Sequence, residues 1–385
     1  MSRYSIQPIS LEKVRTYPLA GRKSKVTVRE FGRAIGGEAA RKQGKGKTKE
    51  GFFPARPESG IASLRMTTGG NRGKEKTNAE ARRAQWLAEK RSRRAVGGTV
   101  AELIVSLPRI LAGNDLRAVI AAIRKARTGR RTILWGIGGH VIKVGLAPVL
   151  IDLLRRGYVS GVAMNGAALV HDFEIALVGN TSEDVEAVLG RGEFGIAEET
   201  GLYLNEIAVG AARSGMGMGE AAGKLLSSGR LKVKHPEMSL LMAAYRAGVP
   251  VTVHLAIGTD IPHMHRSADG AAMGAATFRD FRLFCALVKR MQPGGVYLNW
   301  GSAVVLPEVF LKAVSVARNL GTRLKPITTA HFDFIQHYRP LTNVVKRPTQ
   351  GRRGKRSASR GYVITGHPEI LLPLLAAGLE AGYRK

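Results

Sequence analysis

The sequence predicts an α/β chain, a parallel sheet with helices on both faces, preceded by a basic segment. Three observations carry this. From residue 99 onward, short β-branched runs alternate with amphipathic helical patterns, which is the signature of a covered parallel sheet. Many of the 47 glycines directly follow apolar runs, where α/β proteins turn from strand to helix around a ligand. The chain has 385 residues and is 44% hydrophobic, enough for a substantial core. No repeat of fixed period interrupts the alternation.

In chain order, residues 1–35 come first. LEKVRTYPL and SKVTVREF carry spaced apolar residues and are expected to dock on the folded body. Residues 36–98 read as a disordered basic segment, because GGEAARKQGKGKTKEG and GGNRGKEKTNAEARR hold too little apolar surface to offset the entropy of ordering. Within it, AEARRAQWLAEKRSRR has the pattern of a basic helix around Trp86. Residues 99–385 are expected to form one parallel-sheet domain. Strands are expected at 131–136, 160–164, 250–256, 294–299, 323–329 and 361–365. Helices are expected near 115–128, 141–156, 197–213, 237–247, 270–291, 306–320 and 367–382. Residues 339–360 read as a long connection with eight Lys/Arg and no acid.

Charge and cysteine usage bound the setting. Residues 1–100 hold 24 Lys/Arg against 8 Asp/Glu, and residues 101–385 hold 36 against 21. About half of the net +31 therefore sits in the first quarter of the chain. Such a segment attracts polyanions without sequence preference, or serves as a solvated tail. The single cysteine, Cys285 in FRLFCALV, excludes an internal disulfide and reads as a buried thiol. A reducing, cytoplasmic compartment is expected. The N-terminal residues lack the apolar core of a signal peptide, and no run of 18 apolar residues suits a membrane span.

In open parallel sheets, ligands bind beyond the carboxyl ends of the strands. There the chain reads GIGGHVIKVG after the first strand, with Gly136, Gly138 and Gly139 placed to let the backbone approach a phosphate. NGAALVHDFE, GTDIPHMH, WGSAVVLPE, AHFDFIQHYRP and GHPE follow the later strands. Seven of the nine histidines fall in these junctions: His140, His171, His263, His265, His331, His337 and His367. His254 lies inside a strand, and His235 falls outside the pattern. Imidazoles at one edge suit acid–base chemistry, substrate orientation or a metal. His263-x-His265 is a short ligand pair, Asp172, Asp260 and Asp333 lie close by in sequence, and histidine with carboxylate suits Zn²⁺ or a similar ion, but no HExxH or Cys cluster accompanies them.

These junction motifs, in this order over roughly residues 100–385, resemble the deoxyhypusine synthase family. GIGGHVIKVG matches its glycine/serine turn and AMNGAALVHDFE its small-residue and acidic segment. GTDIPHMH matches its TDG-type segment, and WGSAVVLPEVFLKA its glycine run before a helix. ITTAHFD matches its NTA segment, and YVITGHPEILLPLL its closing strand. The resemblance implies a Rossmann-like fold, a homotetramer, and NAD held at subunit interfaces. On that basis the nucleotide positions are Gly139, His140, Asn165, Gly166, Asp260, Thr329 and Ala330. The family oxidises spermidine with NAD and moves the aminobutyl group through a lysine, for which Gly354-Lys355 is the nearest counterpart here.

The departures point away from a standard spermidine site. His171 and His265 stand where the family has acids, and HFDFIQHYRP replaces an acid-rich stretch. The expectation is an NAD-dependent enzyme of oxidation or group transfer acting on a small anionic or neutral substrate. His171, His263, His265 and His337 hold the substrate, and Asp172 and Glu308 orient the imidazoles or act as bases. His171, His263, His265, His331 and His337 are expected to converge on one pocket. The alternatives are a metal-dependent enzyme on the same fold and an RNA-binding protein gripping through the basic segment and the 339–360 loop.

Overall fold

The computed structural model describes residues 3–15, 100–351 and 357–380. The expectations placed on 16–98, including the basic helix around Trp86, and on Lys355 lie outside the described residues.

Six strands form one parallel sheet: β1 (Ile133–Ile137), β2 (Gly161–Asn165), β3 (Val251–His254), β4 (Gly295–Trp300), β5 (Ile327–Asp333) and β6 (Arg360–Thr365). Their order is β3-β2-β1-β4-β5-β6. The chain builds outward from β1 to β3, then crosses back to lay β4 on the other flank of β1. This is the Rossmann-like order, and its switch point lies between β1 and β4.

Helices connect the strands: α1 (Val100–Ser106), α2 (Leu111–Thr128), α3 (Gly139–Lys143), α4 (Ala147–Arg155), α5 (Gly166–Val178), α6 (Val185–Leu189), α7 (Glu198–Ser214), α8 (Met218–Ser227), α9 (Leu240–Ala247), α10 (Gly270–Lys289), α11 (Val305–Asn319), α12 (Arg347–Thr349) and α13 (Pro368–Glu380). Alternation along each strand divides the core in two. Ile133, Trp135, Leu298, Trp300 and Phe332 face α2, α4 and α13. Leu134, Tyr297 and Ile327 face α10 and α11. Trp300 stacks on Phe332 at 3.9 Å, and on the other face Tyr297 stacks on Phe310 at 3.8 Å. Cys285 is buried in the second core, where burial pushes its thiol up to about 12.

Residues 3–15 lie along the sheet domain. The Ile9 amide donates to Arg282 O at 3.2 Å, and the Arg15 amide to Asn319 Oδ1 at 2.8 Å.

Three expectations change. The fifth strand runs 327–333, not 323–329, because Pro326 cannot join the ladder and the polar residues His331 and Asp333 continue it. Residues 166–178, read as a strand exit, form a helix, and 218–227 form another. The 339–360 connection is not structureless. Pro340–Lys346 winds as a π-helix and Arg347–Thr349 continues it, with Pro340, Val344 and Val345 buried.

Candidate active site

Beyond β2 and β3 the structure closes a cavity of about 260 Å³, lined by His171, Glu174, Glu183, Thr259 and Asp260 among others. That lies just below the roughly 300–1,000 Å³ of drug-sized sites and suits a small ligand. Asn165 starts α5 by accepting the Ala168 amide at 3.0 Å, a side-chain cap that fixes where the helix begins. His171 and Glu174 then lie three residues apart and share a helix face.

A hydrogen-bonded relay joins them. The Thr181 hydroxyl donates to Glu174 Oε2 at 2.5 Å, and the Thr200 hydroxyl donates to Glu174 Oε1 at 2.9 Å. Thr181 Oγ1 is also 2.7 Å from His171 Nδ1. A hydroxyl has one proton, and Thr181 spends it on the carboxylate, so His171 Nδ1 must be the donor. In the neutral ring this leaves the lone pair on Nε2. Burial and the nearby Lys143 ammonium both lower the His171 pKa from its ordinary 6.5. The arrangement presents a neutral imidazole with a free basic nitrogen, the requirement for a general base. The ring lies against α3: a Cβ on Gly139 would meet Ala167 Cβ at 2.8 Å and His171 Cδ2 at 3.3 Å.

The cavity combines carboxylates with apolar side chains, among them Val170, Phe194 and Ile261. Glu183 accepts the Gly195 amide at 3.2 and 3.1 Å. Asp260 accepts the Ala256 amide at 2.9 Å, and its carboxylate occupies the space beside Gly166, 2.2 Å from where a Cβ would stand. Burial raises the Asp260 pKa. Three carboxylates therefore surround one imidazole.

The other predicted residues do not all gather here. β3 and β5 are four strand spacings apart, about 19 Å, so His263 and His265 cannot share a small-molecule pocket with His331 and His337. The sheet order, which periodicity does not reveal, is the reason. His263 accepts the Gly258 amide on Nδ1 at 3.2 Å. His265 is turned against Gly201 of α7, with Nε2 3.4 Å from Glu198. His331 is buried inside β5 with Nδ1 2.9 Å from Asn299 Nδ2, and burial pushes it down to about 4. His337 is exposed on the turn after β5. His140 faces away from His171, towards Glu369 at 3.7 Å and Phe334, which stacks on His367 at 5.3 Å.

Both predicted acids serve other elements. Asp172 is fully buried and accepts the Ser239 hydroxyl at 2.7 Å and the Leu240 and Leu241 amides at 2.7 and 3.3 Å, capping α9. Burial pushes its carboxyl up to about 6. Glu308 binds Lys312, Asn343 at 2.7 Å and Arg339 at 3.4 Å, so it anchors the π-helix and touches no imidazole. Thr329 and Ala330, expected at the strand exit, are buried in the middle of β5 because the strand runs on to Asp333.

The glycines of the turn after β1 are required by close packing. A Cβ on Gly136 would stand 2.3 Å from Tyr297 Oη, and one on Gly138 would stand 2.1 Å from Gly301 O. The Gly138 amide donates to Trp300 O at 2.9 Å, which draws the exits of β1 and β4 together. These glycines admit protein atoms, which gives a packing reason for glycine at this turn. Among the described residues no three His, Cys, Asp or Glu side chains are placed to hold a metal ion, and no helix is long and apolar enough to cross a membrane.

Sequence reasoning missed Glu174 as a working residue, although its spacing from His171 becomes a signal once 166–178 is known to be a helix. It also missed Thr181 and Glu183, which come from the loop after α5 and carry no periodic signal.

No protein-family model matches the chain, and no curated protein matches it. Several solved structures share the course of the backbone. A candidate LOR/SDH protein from Methanococcus maripaludis S2 aligns with a TM-score of 0.43 and 16% identity over 70% of each chain. A ternary complex of AgrE with ornithine and NAD+ aligns at 0.41 and 17% identity, over 71% of this chain and 34% of that one. A candidate deoxyhypusine synthase from Entamoeba histolytica aligns at 0.41 and 11% identity, over 73% and 93%. This chain thus spans about a third of AgrE.

Proposed function

We propose that the chain is an enzyme in which His171 Nε2 takes a proton from a small, cationic substrate held beyond β2 and β3. One observation carries this reading: the Thr181 proton is committed to Glu174, which forces His171 Nδ1 to donate and leaves Nε2 free. Glu183 and Asp260 line the same cavity and supply the negative charge that an ammonium group requires. As Nε2 gains a proton, the imidazolium is stabilised through Thr181 by the Glu174 carboxylate, and the ring stays fixed in orientation. This is the logic of a base held by a third group, with a hydroxyl between the two.

NAD is the cofactor that the junction motifs imply, and with it an oxidation of the substrate or a group transfer that begins with one. Asn165 and Asp260, beside the cavity, remain from the implied nucleotide set. Gly136 and Gly138 pack against Tyr297 and Gly301, and the proton transfer rests on His171 and its partners alone.

The test mixes the full chain with NAD and a panel of small amines and diamines, alongside amino acids without a cationic side chain. Calorimetry reads binding, and nicotinamide absorbance together with product mass reads turnover. A cationic member is expected to bind and react, and His171→Gln to keep the binding while losing turnover. If no cationic member binds, or if His171→Gln turns over as wild type does, the reading is wrong. If a substrate reacts without nicotinamide nucleotide, NAD is excluded while the base assignment stands.

A further inference from the structure

We propose that the amino-terminal edge of the sheet is a binding surface for double-stranded nucleic acid, held by its phosphate backbone. In a parallel sheet every connection enters its strand at one edge, opposite the candidate active site. β1 is entered through Arg130 and Arg131, β2 through Arg155, β4 through Lys289 and Arg290, and β5 through Arg323. All six are exposed. None forms an ion pair among the described residues.

The loops are fastened to one another, so the charges cannot simply drift apart. The Thr132 hydroxyl donates to Arg290 O at 3.0 Å, and the Gly294 amide donates to Pro326 O at 2.7 Å. Holding like charges together carries a cost of self-repulsion, which a polyanion relieves. A cavity of about 630 Å³ opens at the same edge, lined by Arg124, Arg127, Thr128 and Arg156. There Asp152 and Glu380 pair with Arg156, and Arg127 lies over the Tyr158 ring at 4.6 Å.

The spacing suits a duplex backbone. β2 to β5 spans three strand spacings, about 14 Å. Phosphates rise about 3.4 Å apart along each strand of a duplex, so roughly four of them face the six cations. Among the described residues the strand-entry loops expose no large apolar side chain, which a membrane-surface element needs for insertion. Tyr158 is buried and no exposed aromatic side chain stands among the described residues of these loops, which offer no platform for stacking unpaired bases. Phosphate contact without base stacking favours the duplex over a single strand or a lipid surface.

The experiment measures fluorescence anisotropy of the full chain with duplexes of about 20 base pairs, one of RNA and one of DNA, from about 0.05 to 0.2 M salt. The matched single strand and phosphatidylserine vesicles are run beside them. Each lost phosphate contact lowers the slope of log affinity on log salt by about 0.9. Arg130→Glu/Arg131→Glu/Arg290→Glu is therefore expected to flatten that slope by about 3 and to weaken duplex binding more than tenfold, with the thermal midpoint unchanged. Arg155→Glu/Arg323→Glu, on different loops, is expected to act in the same direction and serves if the first variant unfolds. The two duplexes show whether RNA or DNA is preferred. Absence of duplex binding by the wild type overturns the proposal. Wild-type affinity and slope in both variants overturn it as well, and so does tighter binding to the single strand or the vesicles.

Discussion

His171 is held neutral by two effects of the same sign, since burial disfavours the imidazolium and Lys143 repels it. The base form therefore persists to lower pH than for a free imidazole. The acid limb of kcat/KM is expected to have its midpoint below the ordinary 6.5. Lys143→Met removes the repulsion and is expected to move that limb upward. A pH–rate profile of the two proteins checks the sign, and a downward shift would contradict the electrostatic account. Thr181→Val removes the bridge to Glu174 but leaves the carboxylate in place. Since positioned acid–base groups contribute about 10²–10⁴-fold, a tenfold to hundredfold loss of kcat is expected with ligand binding retained. Restoration of kcat by Thr181→Ser would show that the hydroxyl, not the methyl group, matters. At this scale the sequence revealed His171 and Asp260, because both follow a strand directly. It could not reveal Thr181, whose importance comes from a loop folding back onto α5.

At the scale of elements, close packing between strand exits sets what the glycines do. Gly138→Ala would put a Cβ 2.1 Å from Gly301 O, a backbone atom that moves only if β1 and β4 part. The expected loss is about 2 kcal/mol, in the range of overpacking. Gly274, in the second turn of α10 with nothing near its missing Cβ, is the comparator. Gly274→Ala is expected to gain about 0.5–1 kcal/mol from helix propensity. Urea unfolding of both variants separates packing from backbone entropy. Asp280 joins two elements, since its Oδ2 accepts the Gly219 amide of α8 at 3.0 Å and the Val253 amide of β3 at 2.9 Å. Burial pushes its carboxyl from 3.8 up to about 7. The folded chain therefore takes up a proton between those values that the unfolded chain does not, and stability falls as pH rises across that window. Asp280→Asn cannot ionise and is expected to flatten the pH dependence of the thermal midpoint between about pH 4 and 7. The strands were legible because β-branched runs bounded by glycine fit a buried parallel sheet. Helix α5 was not, because Gly166–Val178 is apolar nearly all round and lacks the polar face that gives a helix its period. The register of β5 was misjudged where Pro326 sits, and Thr329 and Ala330 moved with it.

Across the whole molecule, charge is divided between the two edges of the sheet, and the division bears on substrate capture. The histidine-rich edge was legible in the sequence, since every junction after a strand lies there. Which junctions are neighbours was not, because strand order depends on where the chain crosses back. Carboxylates line the cavity at that edge, while exposed arginines crowd the other and the chain carries +31 overall. A cationic substrate thus meets attraction at short range and repulsion at long range. β5 has seven residues, so the edges lie about 20 Å apart. At about 0.01 M ionic strength the screening length is about 30 Å and the whole molecule repels the ligand; at about 0.15 M it is about 8 Å and the far edge is hidden. The carboxylates of the cavity would still act on the proposed cation there, because they lie within contact range of it. For a dication, kcat/KM is therefore expected to rise severalfold between those two salt concentrations, against the usual fall for an acid-lined site. Arg130→Glu/Arg131→Glu/Arg290→Glu weakens the repulsion and should raise the low-salt value most. Initial rates over a salt series decide it: a steady fall from the lowest salt upward would mean that the pocket's own field governs capture and the far edge does not reach it.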